Sequence, residues 1–137
     1  MLTLLKDDPK LKVVLKEFPV LGPGSLEAAR VAVAVRMQDP KKYLEFHTKL
    51  LGGRGAADEA HALAVAKDIG MNMAQIQKDA KSPEVKATLD EDFKLAEALG
   101  LNGTPSYVIG SDVVVGAIGL PGLQEKINTA RCGKPTC

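Results

Sequence analysis

Tryptophan is absent from the sequence, and aromatic residues make up only 4% of it. That argues against a base-stacking surface or a cleft walled with aromatic rings. No apolar run approaches the ~20 residues that span a bilayer. The longest apolar stretch, Val31 to Val35, is bounded by Arg30 and Arg36. An excess of charge is missing as well. The formal net charge is +1, so no strong field draws the chain to nucleic acid or to an anionic membrane. A secretory signal needs a basic start, a longer apolar stretch and a small-residue cleavage site. Met1 to Leu5 has none of these, and Asp7, Asp8 and Pro9 follow at once. As it stands, the chain is expected in the cytoplasm unless something upstream is missing. His47 and His61 are the only histidines, and neither has a Cys or His neighbour at zinc spacing. His47, beside Phe46, reads as a partly buried packing residue. Gly22-Pro23-Gly24-Ser25 is not followed by the Gly-Lys-Ser/Thr of a phosphate loop. No metal and no cofactor are expected.

What is present suits one domain: 137 residues, 45% of them hydrophobic. Leu2 to Lys6 reads as the last turns of a helix, closed by Asp7-Asp8-Pro9. Lys12 to Phe18 is short, β-branched and bounded by prolines, so a strand is expected there. A Gly/Pro loop leads to Ser25, read as the N-cap of a helix that runs to about Gln38. Asp39 and Pro40 restart the chain. The next helix carries Tyr43, Leu44, Phe46, His47, Leu50 and Leu51 and ends at Gly52-Gly53. Further helices are expected at Ala57 to Ile69, at Met73 to Ala80 and from Ser82 to Leu99. In the last of these Val85, Leu89, Phe93, Ala96 and Leu99 share one face, and Asp90-Glu91-Asp92 is a solvated face. Two strands, Ser106 to Ile109 and Asp112 to Val115, join through Gly110-Ser111. A final helix runs from about Leu120 to Ala130.

The informative stretch is Leu99-Gly100-Leu101-Asn102-Gly103-Thr104-Pro105-Ser106-Tyr107-Val108-Ile109-Gly110. A helix stops, a Gly-rich connector follows, and Thr-Pro opens a strand. This resembles the thioredoxin superfamily, whose proline at that step is cis. Lys16-Glu17-Phe18-Pro19-Val20-Leu21-Gly22 is similar to the point where DsbA-type proteins pass from strand into an inserted helical domain. Ala28-Ala29-Arg30-Val31-Ala32, Tyr43-Leu44-Glu45-Phe46-His47 and Val113-Val114-Val115-Gly116-Ala117 are similar to further parts of that family. The resemblance covers Leu2 to about Arg131. It implies an α/β, thioredoxin-like fold over residues 1–137, incomplete for want of its first strand, with a helical insertion at about 25–99. It also implies a protein disulfide oxidoreductase of the periplasm, acting on extended or unfolded polypeptides with a redox partner protein. Thr104 and Pro105 would be the substrate-binding residues, since the family pairs extended peptides with the backbone just before its cis proline.

One departure stands out. The family's Cys-x-x-Cys follows the first strand, at the start of the helix whose end matches Leu2 to Lys6. This chain opens at Met1, inside that helix, and contains no Cys-x-x-Cys. The expectation is a product started at an internal methionine rather than a degenerate paralogue, without catalytic residues and inactive alone. Loss of a central strand would leave open edges, so a homo-oligomer is expected, with Met1 to Phe18 at the contact. Cys132 and Cys137 are the only cysteines. A spacer of four residues lets the tail fold back to the ~5.5–6 Å Cα spacing of a disulfide, which an oxidising compartment would favour. Free thiols and a redox centre are the other readings of this pair. Two further functions stay open: a non-catalytic peptide-binding module (a holdase or adaptor), and a DsbA-like glutathione-dependent isomerase.

Overall fold

The computed structural model describes residues 1–137. It is mostly helical with one small sheet, and it divides into two compact units. One comprises Met1–Lys16 and Ala96–Cys137, the other Glu17–Leu95.

The Glu17–Leu95 unit is built around α2 (Pro23–Gln38). The helix starts two residues earlier than the Ser25 cap expected from the sequence. Gly22, at φ +91°, turns the chain into it and Pro23 takes the first helical position, where its missing N–H leaves no bond unmade. Ala28, Ala29 and Val31 to Val35 are all buried, so the Ala/Val-rich middle of α2 is enclosed. Asp39 accepts the Lys41 N–H and opens a short 3-10 turn, Pro40–Lys42. It leads to α3 (Tyr43–Gly52), which buries Tyr43, Phe46 and Leu50 at helical spacing. The next helix, α4, is Glu59–Asp68 rather than Ala57–Ile69. The Asp58 carboxylate accepts the His61 N–H at 2.9 Å and sets the start. Asn72 caps α5 (Met73–Ala80) in the same way. It also exchanges two hydrogen bonds with the Gln38 side chain at the end of α2, at 2.8 and 3.2 Å. Helices α3, α4 and α5 all pack on α2.

Ser82 caps α6 (Pro83–Ala98) through the Val85 N–H. Val85 and Leu89 join Ala29 and Val33 of α2 in one cluster, with Leu26 against it. The expected solvated face at Asp90-Glu91-Asp92 needs correction. Asp90 and Glu91 are exposed, but Asp92 is buried. Residues 85, 89, 92 and 96 repeat at helical spacing, so Asp92 falls on the inward stripe. Phe93, expected on that stripe, is 37% exposed.

In the other unit α1 (Leu2–Asp7) buries Leu4. Strands β1 (Ser106–Ile109) and β2 (Asp112–Val115) form an antiparallel hairpin, with Tyr107 opposite Val114 and Ile109 opposite Asp112. Helix α7 (Gly119–Cys132) packs on β1. Gly110 in the turn has φ +60°, and a Cβ there would lie 3.0 Å from the Ala130 Cβ. Glycine thus meets both the turn's backbone and the approach of α7. The strand expected at Lys12 to Phe18 is not one. Residues 11–20 have no regular secondary structure, and the sheet contains β1 and β2 alone. The composition suits a strand, but a strand exists only through ladder hydrogen bonds to another strand, and the sheet's two strands pair with each other alone.

Candidate functional site

Helix α6 is stopped by Gly100, at φ +68°, and the chain crosses a short connector to Thr104. The Thr104–Pro105 peptide is cis, and both residues are exposed. The connector is held where it enters β1. Ser106 Oγ donates to the Gly103 carbonyl at 2.6 Å, and the Gly116 N–H donates to the Pro105 carbonyl at 2.8 Å.

That last bond sets the phase of the hairpin. Antiparallel pairs alternate between hydrogen-bonded and non-bonded. With Pro105–Gly116 bonded, Tyr107–Val114 and Ile109–Asp112 are bonded too. Ser106 and Val108 therefore turn their N–H and C=O groups away from β2, toward the open edge of β1. Thr104 lies just before β1, in the bend that leads into it. On one face of the hairpin Val108, Val113 and Val115 are exposed at 55%, 41% and 51%. Tyr107, Ile109, Asp112 and Val114 occupy the other face, half-buried. Lys126 of α7 ties that face down through Asp112 at 3.0 Å. The result is an uncharged backbone edge along β1, beside a strip of valines, with Thr104 just before it. Such an edge can accept an extended chain by main-chain hydrogen bonding.

The two cysteines lie elsewhere, at the C-terminal end of α7. Cys132 is its last residue, Gly133 caps it at φ +77°, and a disulfide joins Cys132 to Cys137 with Cα atoms 6.2 Å apart. Asn128 Nδ2 donates to the Pro135 carbonyl at 2.9 Å and holds the tail back along the helix. Arg131 donates to Asp8 Oδ2 at 2.8 Å, and this bond holds the Asp8 carboxyl below its ordinary value. Tryptic mapping without reductant will release residues 132–137 as one fragment short of two thiol hydrogens, because Lys134 precedes a proline. Recovery of two alkylatable thiols from the unreduced protein would refute the bond.

A second polar cluster escaped the sequence reading. Tyr43 of α3 donates its hydroxyl to Glu17 Oε1. The Arg36 guanidinium lies 5.6 Å from the centre of the Tyr43 ring, a cation–π contact. Beside this pair the Phe18 and Phe93 rings meet edge to face at 5.7 Å. Burial pushes the Glu17 carboxyl above its ordinary value, against the opposing hydrogen bond from Tyr43. Burial also pushes the Tyr43 hydroxyl up, with Glu17 adding to it. No set of three or more His, Cys, Asp or Glu side chains is arranged to hold a metal ion. No helix is long and apolar enough to cross a membrane.

Comparison with known proteins fits this geometry. The model of the DSBA-like thioredoxin domain matches residues 2–128. A thioredoxin-like oxidoreductase from Silicibacter pomeroyi is 40% identical and superimposes with a TM-score of 0.88, over 95% of this chain and 74% of its own. The thiol-disulfide exchange protein alpha-DsbA2 from Wolbachia pipientis is 31% identical with a TM-score of 0.83, over 93% of this chain and 69% of its own. A periplasmic thioredoxin-like protein from Salmonella enterica serovar Typhimurium shares the fold at 22% identity and a TM-score of 0.79, over 93% of this chain and 71% of its own. Among curated proteins no significant match is found. The fold is thioredoxin-like with a helical insertion, and the chain belongs to the DSBA-like thioredoxin domain family.

Proposed function

We propose that this chain carries the polypeptide-docking side of a DsbA-like thiol–disulfide oxidoreductase and does not itself perform the redox step. The observation that carries the reading is the open edge of β1, with Thr104 and cis-Pro105 at its start. An extended or unfolded polypeptide pairs with the outward N–H and C=O groups of Ser106 and Val108 and with the backbone of Thr104 before them. The valine strip beside them takes its apolar side chains. Disulfide exchange needs a thiolate that attacks a sulfur through a mixed disulfide, and the sequence holds no Cys-x-x-Cys to supply it. The dithiol therefore comes from a redox partner protein or from sequence outside this chain. A periplasmic setting fits the Cys132–Cys137 disulfide, because such bonds persist in oxidising compartments. The same open edge supports self-association, since unpaired strand edges recruit other strands.

A second reading is favoured by the missing motif alone: a binding module with no redox partner. One titration separates docking from its absence. With the amides labelled for NMR, a reduced and alkylated unfolded polypeptide will shift Thr104, Ser106 and Val108 first. Light scattering on the same sample will read a dimer or larger species in the free chain. Shifts confined to other elements would sink the docking site, and a strict monomer would sink the self-association.

A further inference from the structure

The chain passes from one unit into the other between Lys16 and Glu17. At that passage it has no regular secondary structure, so side chains do the holding. Just inside the helical unit stand two anchors. Glu17 accepts the Tyr43 hydroxyl, and Phe18 meets Phe93 edge to face. One is titratable and the other is not. The titratable anchor is backed by a buried ring, since Tyr43 sits in the core and Arg36 covers it.

From this arrangement we infer that Glu17 and Tyr43 form a proton-controlled latch on the segment entering the helical unit. The latch is closed when Glu17 is protonated and loosened when Glu17 is ionised.

The charges that face Glu17 come from three helices. From α3 come Tyr43 and His47, from α2 Arg36, and from α6 Asp92. Lys16 precedes it in the chain. Loss of water around the carboxyl is the largest influence and favours the protonated form, and Asp92 adds to it. The Tyr43 hydrogen bond, His47 and Arg36 favour the ionised form and are together outweighed. The sign follows from linkage. The folded chain holds the Glu17 proton more tightly than the unfolded chain does. The latch's contribution is full below the ordinary carboxylate value and is lost as pH rises through the raised one. Burial of an ionised carboxylate is what loosens it. Loosening frees a segment in which Val13 and Val14 already face water. Its β-branched composition is of the kind that adds to an open strand edge. This inference does not rest on the peptide-docking reading.

Hydrogen exchange on the whole chain, comparing Glu17→Gln with the unaltered protein at the same pH, tests it. The glutamine keeps the acceptor and cannot ionise. At about pH 8 the amides of residues 13–18, 20 and 21 should exchange more slowly in Glu17→Gln, by more than the twofold margin that separates a difference from a match. At about pH 4 the two proteins should match within about twofold. Carbon-detected NMR of the Glu17 carboxyl in the unaltered protein provides a readout independent of the variant's folding. Its midpoint should lie above the ordinary glutamate value and move higher in Tyr43→Phe, which removes the donor that favours the ion. Equal exchange at both pH values overturns the latch. So does faster exchange of the variant at the higher pH, or a carboxyl midpoint at or below the ordinary value.

Discussion

Insulin reduction by dithiothreitol will run at its uncatalysed rate in the presence of this chain, within about twofold, where a competent dithiol catalyst would speed it far more. The only sulfur pair is Cys132–Cys137. A catalytic thiol needs its thiolate stabilised, usually by the positive end of a helix or a nearby cation. Cys132 is the last residue of α7, at the end whose exposed carbonyls repel a negative sulfur. Arg131, the nearest cation in sequence, is engaged with Asp8. If insulin precipitates early, and Cys132→Ser abolishes the acceleration, then the tail disulfide is a redox centre and the division of labour proposed above is wrong.

Phe46→Ala will unfold a large part of the helical unit's stability. The Phe46 ring is 0% exposed, and its removal leaves a void that packed neighbours fill only in part. Such truncations cost about 3–5 kcal/mol, while chains of this size have roughly 0.05–0.15 kcal/mol per residue in total. Leu44, on the same helix but 36% exposed, will cost much less as alanine. Denaturant titration followed by circular dichroism reads both. A Phe46→Ala loss below about 1 kcal/mol would mean that α3 is not seated as described.

The local punctuation of the chain was easy to read, and its long-range pairing was not. The hairpin's limits follow from Gly110-Ser111 between two β-branched runs, and α5 from Met73 to Ala80 stands where its periodicity puts it. Pro40 and Gly100 mark boundaries because their backbone preferences act on the spot. Lys12 to Phe18 has the same composition as a strand and became none, since composition cannot supply a partner. The Glu17–Tyr43 bond joins residues 26 apart in sequence, and nothing near either one announces the other. Asp92 lay in plain view on the inward stripe of α6, and its charge disguised it. Of the site, Thr104 and Pro105 could be located from their neighbours, because a Gly-rich connector before Thr-Pro is a local signal. The direction in which β1 turns its free backbone groups could not, since it depends on how Gly116 pairs with Pro105.

The enclosure of α2 has a bearing on motion as well as on shape. Helices α3, α4 and α5 each lie against it, and its run from Val31 to Val35 is buried without interruption. Peeling away any one neighbour would wet a row of valines and alanines, a penalty that rises with apolar area. Loosening any one of these neighbours therefore carries its own cost in exposed apolar surface. Motion of α3, α4 or α5 is thus tied to the exposure of α2, the axle on which each of them rests.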